Sequence, residues 1–278
     1  MNELVSIEWL KDNLYKKDLI LLDSSLTKTI DGKNSEFKDL SIPTARYFDL
    51  KANFSDRKSP YPNTIPTKEQ FELECQKLGI NNSSEIVIFD NLGIYSSPRV
   101  WWMFKVMGHD KVSVLNGGLN EWIKQKLQTK KRTHKTYEVG NFQASLNENY
   151  VVNYSTIKLN IDQQTFTLID ARSKGRFDGT DNEPRKELKS GNIKNSINIP
   201  FKDVLSDGKY KPKEELKKLF GDKCNYNDKV VFSCGSGLTA CIVLLACEIA
   251  FKKGKFVYDG SWTEWAEKNN LKNVVQQQ

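Results

Sequence analysis

The strongest constraint on this chain is that it repeats itself. Ile86-Val-Ile-Phe-Asp-Asn91 matches Lys229-Val-Val-Phe-Ser-Cys234 in pattern, and Val112-Ser-Val-Leu-Asn-Gly-Gly-Leu-Asn-Glu-Trp122 matches Lys255-Phe-Val-Tyr-Asp-Gly-Ser-Trp-Thr-Glu-Trp265. Both pairings have the same offset, 143 residues. Upstream, Leu19-Ile-Leu-Leu-Asp23 echoes Phe166-Thr-Leu-Ile-Asp170 at a slightly different offset, as loop-length differences produce. A period this long means a duplicated domain rather than a solenoid, and 278 residues leave room for two. Within each half, short apolar strands alternate with helical stretches. A strand ends at Asp23 or Asp170, and a helix is expected near Lys68–Leu78 or Lys213–Phe220. That alternation predicts two α/β domains, each a mainly parallel sheet flanked by helices. The expected domains are 1–128 and 150–278, with the polar stretch 129–149 as a linker.

In the second copy, Lys229 to Phe251 reads as strand, tight loop and helix. Val230, Val231 and Phe232 suit a short buried strand. Cys234 to Thr239 is rich in Gly and hydroxyl residues, and from Leu238 or Thr239 to Phe251 the chain is mostly apolar with no Gly or Pro, as in a buried helix. The N–H groups of such a loop and of the first helical turn can converge on one point at the positive end of the helix dipole. A thiol in that setting loses its proton more easily than a free one, and the thiolate is the nucleophile. Gly235 and Gly237 would permit left-handed or crowded backbone there. Cys75, Cys224, Cys241 and Cys247 lack such a loop and read as buried or surface thiols. The first copy carries Asn91 where the second carries Cys234, so it is expected to be catalytically silent.

The loop Cys234-Gly235-Ser236-Gly237-Leu238-Thr239-Ala240 narrows the chemistry. A Cys-dependent phosphatase needs an Arg six positions after the Cys, where this chain has Ala240. A Cys protease needs a His base, and the two His, His109 and His134, stand in no setting that suggests a dyad. There is no G-x-x-x-x-G-K-[ST] loop, and no G-x-G-x-x-G follows a strand. A thiolate cradled by amides without a dedicated base suits attack on an electrophilic sulfur, giving a persulfide.

With these residues in view, the chain resembles the two-domain rhodanese-type sulfurtransferases over nearly its whole length. The resemblance rests on Ser59-Pro60-Tyr61, Tyr95-Ser96-Ser97-Pro98-Arg99-Val100-Trp101-Trp102, Leu115-Asn116-Gly117-Gly118-Leu119, Gly175-Arg176-Phe177, Glu183-Pro184-Arg185 and the Cys234 loop. Mercaptopyruvate-using members have a similar C-G-S-G loop, whereas thiosulfate-using members carry basic residues after the Cys; Gly235 and Ser236 side with the former. The resemblance implies two tandem rhodanese-like domains with the site between them. It implies Cys234 as nucleophile, Arg176 and Arg185 as grips for the carboxylate of 3-mercaptopyruvate, and Gly235, Ser236, Gly237, Leu238 and Thr239 as substrate-binding loop. A thiol acceptor such as thioredoxin would then take the sulfur, with no cofactor. The chain departs from the family at a proposed Ser-His-Asp relay. Its His position falls on Asn63 and its Asp position near Ala52, and neither titrates.

Arg172, Arg176 and Arg185 form the densest Arg cluster in a chain with only seven Arg, and for Arg172 a structural ion pair with Asp170 or Glu183 is expected instead. Trp101, Trp102, Trp262 and Trp265 read as core, although Tyr95 and Trp262 stand in loops that could face substrate.

Composition bounds the rest. The net charge of +7 reflects scattered lysines, with no basic block that argues for nucleic acid. A positive field still favours an anionic substrate. No apolar stretch approaches a membrane span, and the N-terminal sequence does not read as a signal peptide. Five Cys without disulfide-type spacing suggest the reducing cytoplasm, and no His/Cys cluster suggests a metal. Two alternatives remain open: a thiosulfate:cyanide sulfurtransferase, and a persulfide carrier or redox sensor that serves one protein partner.

Overall fold

A computed structural model describes residues 2–30, 32, 34–133, 135–223 and 229–272. Cys224 and His134 therefore lie outside the described residues. The chain forms two compact units. The first takes the chain up to Lys58, Ile65–Glu148 and Leu205–Tyr210; the second takes Ser59–Thr64, Asn149–Val204 and Lys211 onward.

Each unit is built on a parallel five-stranded sheet. In the first the order is Leu4–Val5, Val112–Leu115, Glu85–Phe89, Leu19–Asp23, Arg46–Tyr47. In the second it is Val151–Val152, Phe256–Tyr258, Val230–Ser233, Thr167–Asp170, Ser196–Asn198. Numbered along the chain, the two orders are identical, so the repeat read in the sequence is a repeat of topology. The central strands are apolar except at their ends, as a sheet covered on both faces requires. Glu85–Phe89 and Val230–Ser233 are each followed by a loop and a long helix, Ser97–Val106 and Ala240–Phe251, and the two helices start 143 residues apart.

The expected helices form at Lys68–Lys77 and Lys213–Gly221, and the helix after Cys234 begins at Ala240. Trp101, Trp102, Trp262 and Trp265 are buried. Residues 129–148, expected as a linker, cluster with the first unit. Lys130–Lys131 pairs antiparallel with Leu40–Ser41. The Gly140 and Phe142 amides donate to Gln76 and Ile80 at 2.9 and 3.1 Å. Phe142 then seats against Phe71, Phe104 and His109. A polar segment anchored by two separate aromatics, Phe142 and Tyr137 under Arg46, has no periodicity to read, because backbone bonds carry most of its attachment. No helix of the described residues is long and apolar enough to cross a membrane.

Candidate functional site

Cys234 stands at the carboxyl end of the strand Val230–Ser233, where open α/β sheets hold their ligands. It is 1% exposed. The loop after it is fixed from one side by the segment that follows the next strand. Ser261 Oγ accepts from the amides of Cys234 (3.2 Å) and Gly237 (3.0 Å) and donates to the Tyr258 carbonyl at 2.8 Å. The Trp262 amide donates to the Cys234 carbonyl at 2.9 Å. The Gly235 carbonyl accepts from the Thr263 amide (3.1 Å) and hydroxyl (2.6 Å). With those groups spent on the scaffold, the amides of Gly235, Ser236, Leu238, Thr239 and Ala240 have no acceptor among the described residues. These are the groups available to an anion at Cys234, at the start of a 12-residue helix.

The two loop glycines serve different ends. Gly237 has φ +76, a left-handed conformation that a side chain would strain. At Gly235 a Cβ would lie 2.8 Å from Arg176 Nη2, so a side chain there must shift the end of that arginine.

The three arginines separate by role. Arg172 is fully buried, holding Asp170 through Nε (2.9 Å), Glu183 through Nη1 (2.7 Å) and the Gly191 carbonyl through Nη2 (2.6 Å). It stacks on Trp262, its guanidinium carbon 4.3 Å from the ring centroid. This is the structural ion pair expected for it. Trp262 is accordingly a buried support, and Tyr95 is buried too, its hydroxyl accepting from the Ile30 amide at 2.9 Å. Arg176 is bound by Glu183 through Nη2 (2.7 Å) and Nε (3.2 Å), so one carboxylate serves two guanidinium groups. Arg185 makes no side-chain hydrogen bond among the described residues. Desolvation lowers its pKa, against the opposing pull of Cys234 and Glu183. A desolvated, unengaged fork beside the thiol is a ready carboxylate receptor.

Other candidate groups fall away. Burial pushes the Cys75 thiol pKa well up. Cys241 and Cys247 are buried in the apolar helix. His109 is buried, its Nε2 at 3.0 Å from the Ser84 carbonyl, and burial lowers its pKa. No group of His, Cys, Asp and Glu among the described residues could hold a metal.

A sequence profile of the rhodanese-like domain matches residues 6–125 and again 154–268. The chain belongs to the rhodanese family. Among its rhodanese relatives, human 3-mercaptopyruvate sulfurtransferase is 38% identical over 98% of this chain and 94% of its own. The Arabidopsis thaliana mitochondrial thiosulfate/3-mercaptopyruvate sulfurtransferase 1 is 40% identical over 96% of this chain and 76% of its own. A crystal structure of a 3-mercaptopyruvate sulfotransferase from Escherichia coli superposes with a TM-score of 0.83 at 31% identity, covering 94% of this chain and 99% of that one.

Sequence reading missed Ser261 and Thr263. The signal was present: the 143-residue offset sets Ser261 opposite Gly118, and both are left-handed, at φ +52 and +55. A Ser at a position built for Gly marks a side chain worth its strain.

In the first rhodanese unit, Asn91, which the 143-residue offset aligns with Cys234, is buried, and a neighbouring carboxylate fills the loop. Asp90 Oδ2 accepts from the amides of Tyr95 (2.8 Å), Ser96 (3.0 Å) and Ser97 (2.9 Å) and from the Ser97 hydroxyl (2.7 Å), and Oδ1 from the Leu92 amide (2.9 Å). The first unit thus satisfies internally what the second leaves open. Asp90→Ala should cost about 3 kcal/mol or more, because it orphans buried donors. Denaturant unfolding should show it; a loss below about 1 kcal/mol would mean that the carboxylate does not organise this loop.

Proposed function

We propose that the protein is a 3-mercaptopyruvate sulfurtransferase that works through a persulfide on Cys234. The observation that carries this is the combination of five unengaged amides behind Cys234 with the unengaged Arg185 beside it. Arg185, with Arg176 behind it, receives the substrate carboxylate. The Cys234 thiolate attacks the substrate sulfur. The carbon–sulfur bond breaks, and its electron pair leaves as the enolate of pyruvate. The proton of the substrate thiol ends on the methyl carbon, leaving Cys–S–S⁻, whose outer sulfur the loop amides stabilise. An acceptor thiolate then attacks the protonated outer sulfur and returns Cys234 to the thiolate. A small thiol or thioredoxin in a reducing cytoplasm fits that second step.

A thiosulfate sulfurtransferase is the second reading, favoured by the double name of the Arabidopsis relative and by a rat thiosulfate sulfurtransferase that is 36% identical over 94% of this chain; neutral Gly235 and Ser236 oppose it. The deciding measurement is kcat/KM for mercaptopyruvate and thiosulfate side by side. A higher value for thiosulfate would reverse the assignment. Absence of multiple turnover with either, despite a stoichiometric persulfide, would favour a carrier or sensor.

The arginines give a graded expectation. Arg185→Lys replaces a bidentate fork by a point charge and should lower kcat/KM about ten- to a hundredfold, one charged hydrogen bond. Arg176→Lys should lower it less, since Glu183 already engages that guanidinium. Steady-state kinetics of both variants test the order; equal activity to wild type in both would remove the arginines from carboxylate recognition.

A further inference from the structure

The turn Ser59–Thr64 belongs to the second unit and ends beside the Cys234 loop. It is internally braced. Ser59 Oγ accepts from the Tyr61 amide at 3.1 Å and lies 2.7 Å from Thr64 Oγ1, which also reaches the Tyr61 carbonyl at 2.9 Å. Asn63 is held left-handed, φ +61, a conformation Asn tolerates better than most residues. From there its Nδ2 reaches two atoms of one residue, the Ser236 carbonyl at 3.3 Å and the Ser236 Oγ at 3.0 Å.

Those two contacts decide the direction of a hydrogen bond. A backbone carbonyl only accepts, so the side-chain group facing it must be the NH₂ of Asn63. The same NH₂ therefore donates to Ser236 Oγ. A hydroxyl that accepts there must aim its own proton elsewhere. Among the described residues that proton has no acceptor. Ser236 is two residues from the nucleophile, in a loop whose free backbone groups are all donors.

We infer that Asn63 is a positioning residue: it fixes Ser236 as a hydrogen-bond donor to the oxygen that gathers charge as the carbon–sulfur bond breaks. The inference rests on the mercaptopyruvate reading above. Ser236 then stabilises the enolate without passing a proton on, and no titrating partner is needed. The charged and titratable groups around the pair are Cys234, Arg176 and Arg185 at the loop, with Tyr61, Glu264, Glu267 and Lys268 near the turn.

The test is a double-mutant cycle on the full chain with Asn63→Ala, Ser236→Ala and both together, plus Asn63→Asp. Losing one oxyanion donor lowers kcat by about a hundred- to a thousandfold, so Ser236→Ala is expected in that range with KM little changed. Asn63→Ala should cost kcat about tenfold, and the double variant should be no worse than Ser236→Ala alone. Asn63→Asp keeps the shape but turns the Ser236 proton toward its own carboxylate, so it should fall as far as Ser236→Ala. A purely structural Asn63 would make Ala the worse substitution and the two losses multiplicative. That pattern, or wild-type kcat in Ser236→Ala, overturns the inference. Single-turnover persulfide formation by the wild type with mercaptopyruvate checks the reading beneath it: if that fails, the function is wrong; if it succeeds while the cycle is additive, only the role of Asn63 is wrong.

Discussion

Cys234→Ser is expected to abolish sulfur transfer with the fold intact. A hydroxyl has almost no anionic fraction at neutral pH, and the other loop hydroxyls, Ser236 and Thr239, are equally weak nucleophiles without an adjacent base. The replacement is nearly isosteric, and the Cys234 backbone bonds to Ser261 and Trp262 do not involve the sulfur. Intact-mass analysis after mercaptopyruvate treatment should show one added sulfur on the wild type and none on the variant. Cys75→Ala, Cys241→Ala and Cys247→Ala should keep the added sulfur: all three thiols are buried, burial pushes the Cys75 pKa well up, and the Cys241 thiol faces the Gly237 carbonyl at 3.4 Å rather than an amide donor. They should lose some stability instead. Cys224→Ser should keep it as well. Sulfur found on any of these four, or retained in Cys234→Ser, would displace Cys234 as the nucleophile.

The parts of this molecule that were legible in the sequence are those written as patterns along one segment. The strand–loop–helix around Cys234 is continuous, so its apolar run, its glycines and its thiol could be read together. The repeat was legible because equal spacing survived between the central strands and the helices after them. Arg172 was legible as structural because its partners, Asp170 and Glu183, lie close in sequence. What was hidden depends on distant residues meeting. Ser261 acts on Cys234 across 27 residues and Asn63 on Ser236 across 173. The different standing of Arg176 and Arg185 was equally hidden, since both read alike as Arg near a Glu. Only the geometry shows that Glu183 takes one and leaves the other. Gly235 illustrates the limit from another side: its loop position suggested conformational freedom or crowding, and only the structure shows that the neighbour a Cβ would meet is the Arg176 guanidinium.

That contact sharpens what should follow from placing basic residues after the nucleophile. In the Gly235→Arg/Ser236→Lys variant, any side chain at 235 must push Arg176 off its position, since a Cβ there would lie 2.8 Å from Nη2. Arg176 is tied to Glu183, which also holds the buried Arg172, so the displacement disturbs one of the two arginines proposed to receive the substrate carboxylate. Lys at 236 removes the hydroxyl that Asn63 engages. A lost charged hydrogen bond is worth about ten- to a hundredfold, and a lost oxyanion donor about a hundred- to a thousandfold. Together they should lower kcat/KM for mercaptopyruvate by about a thousandfold or more. Thiosulfate is a small dianion with no carboxylate on a carbon chain, so it depends little on those grips and gains from two positive charges beside the thiolate. The ratio of the two kcat/KM values is the measure of specificity, and it should move toward thiosulfate. The thiosulfate gain should weaken with added salt, as an exposed electrostatic attraction does. If the folded variant keeps the wild-type ratio, the loop does not choose the substrate. The neutral Gly235 and Ser236 would then no longer favour mercaptopyruvate over thiosulfate.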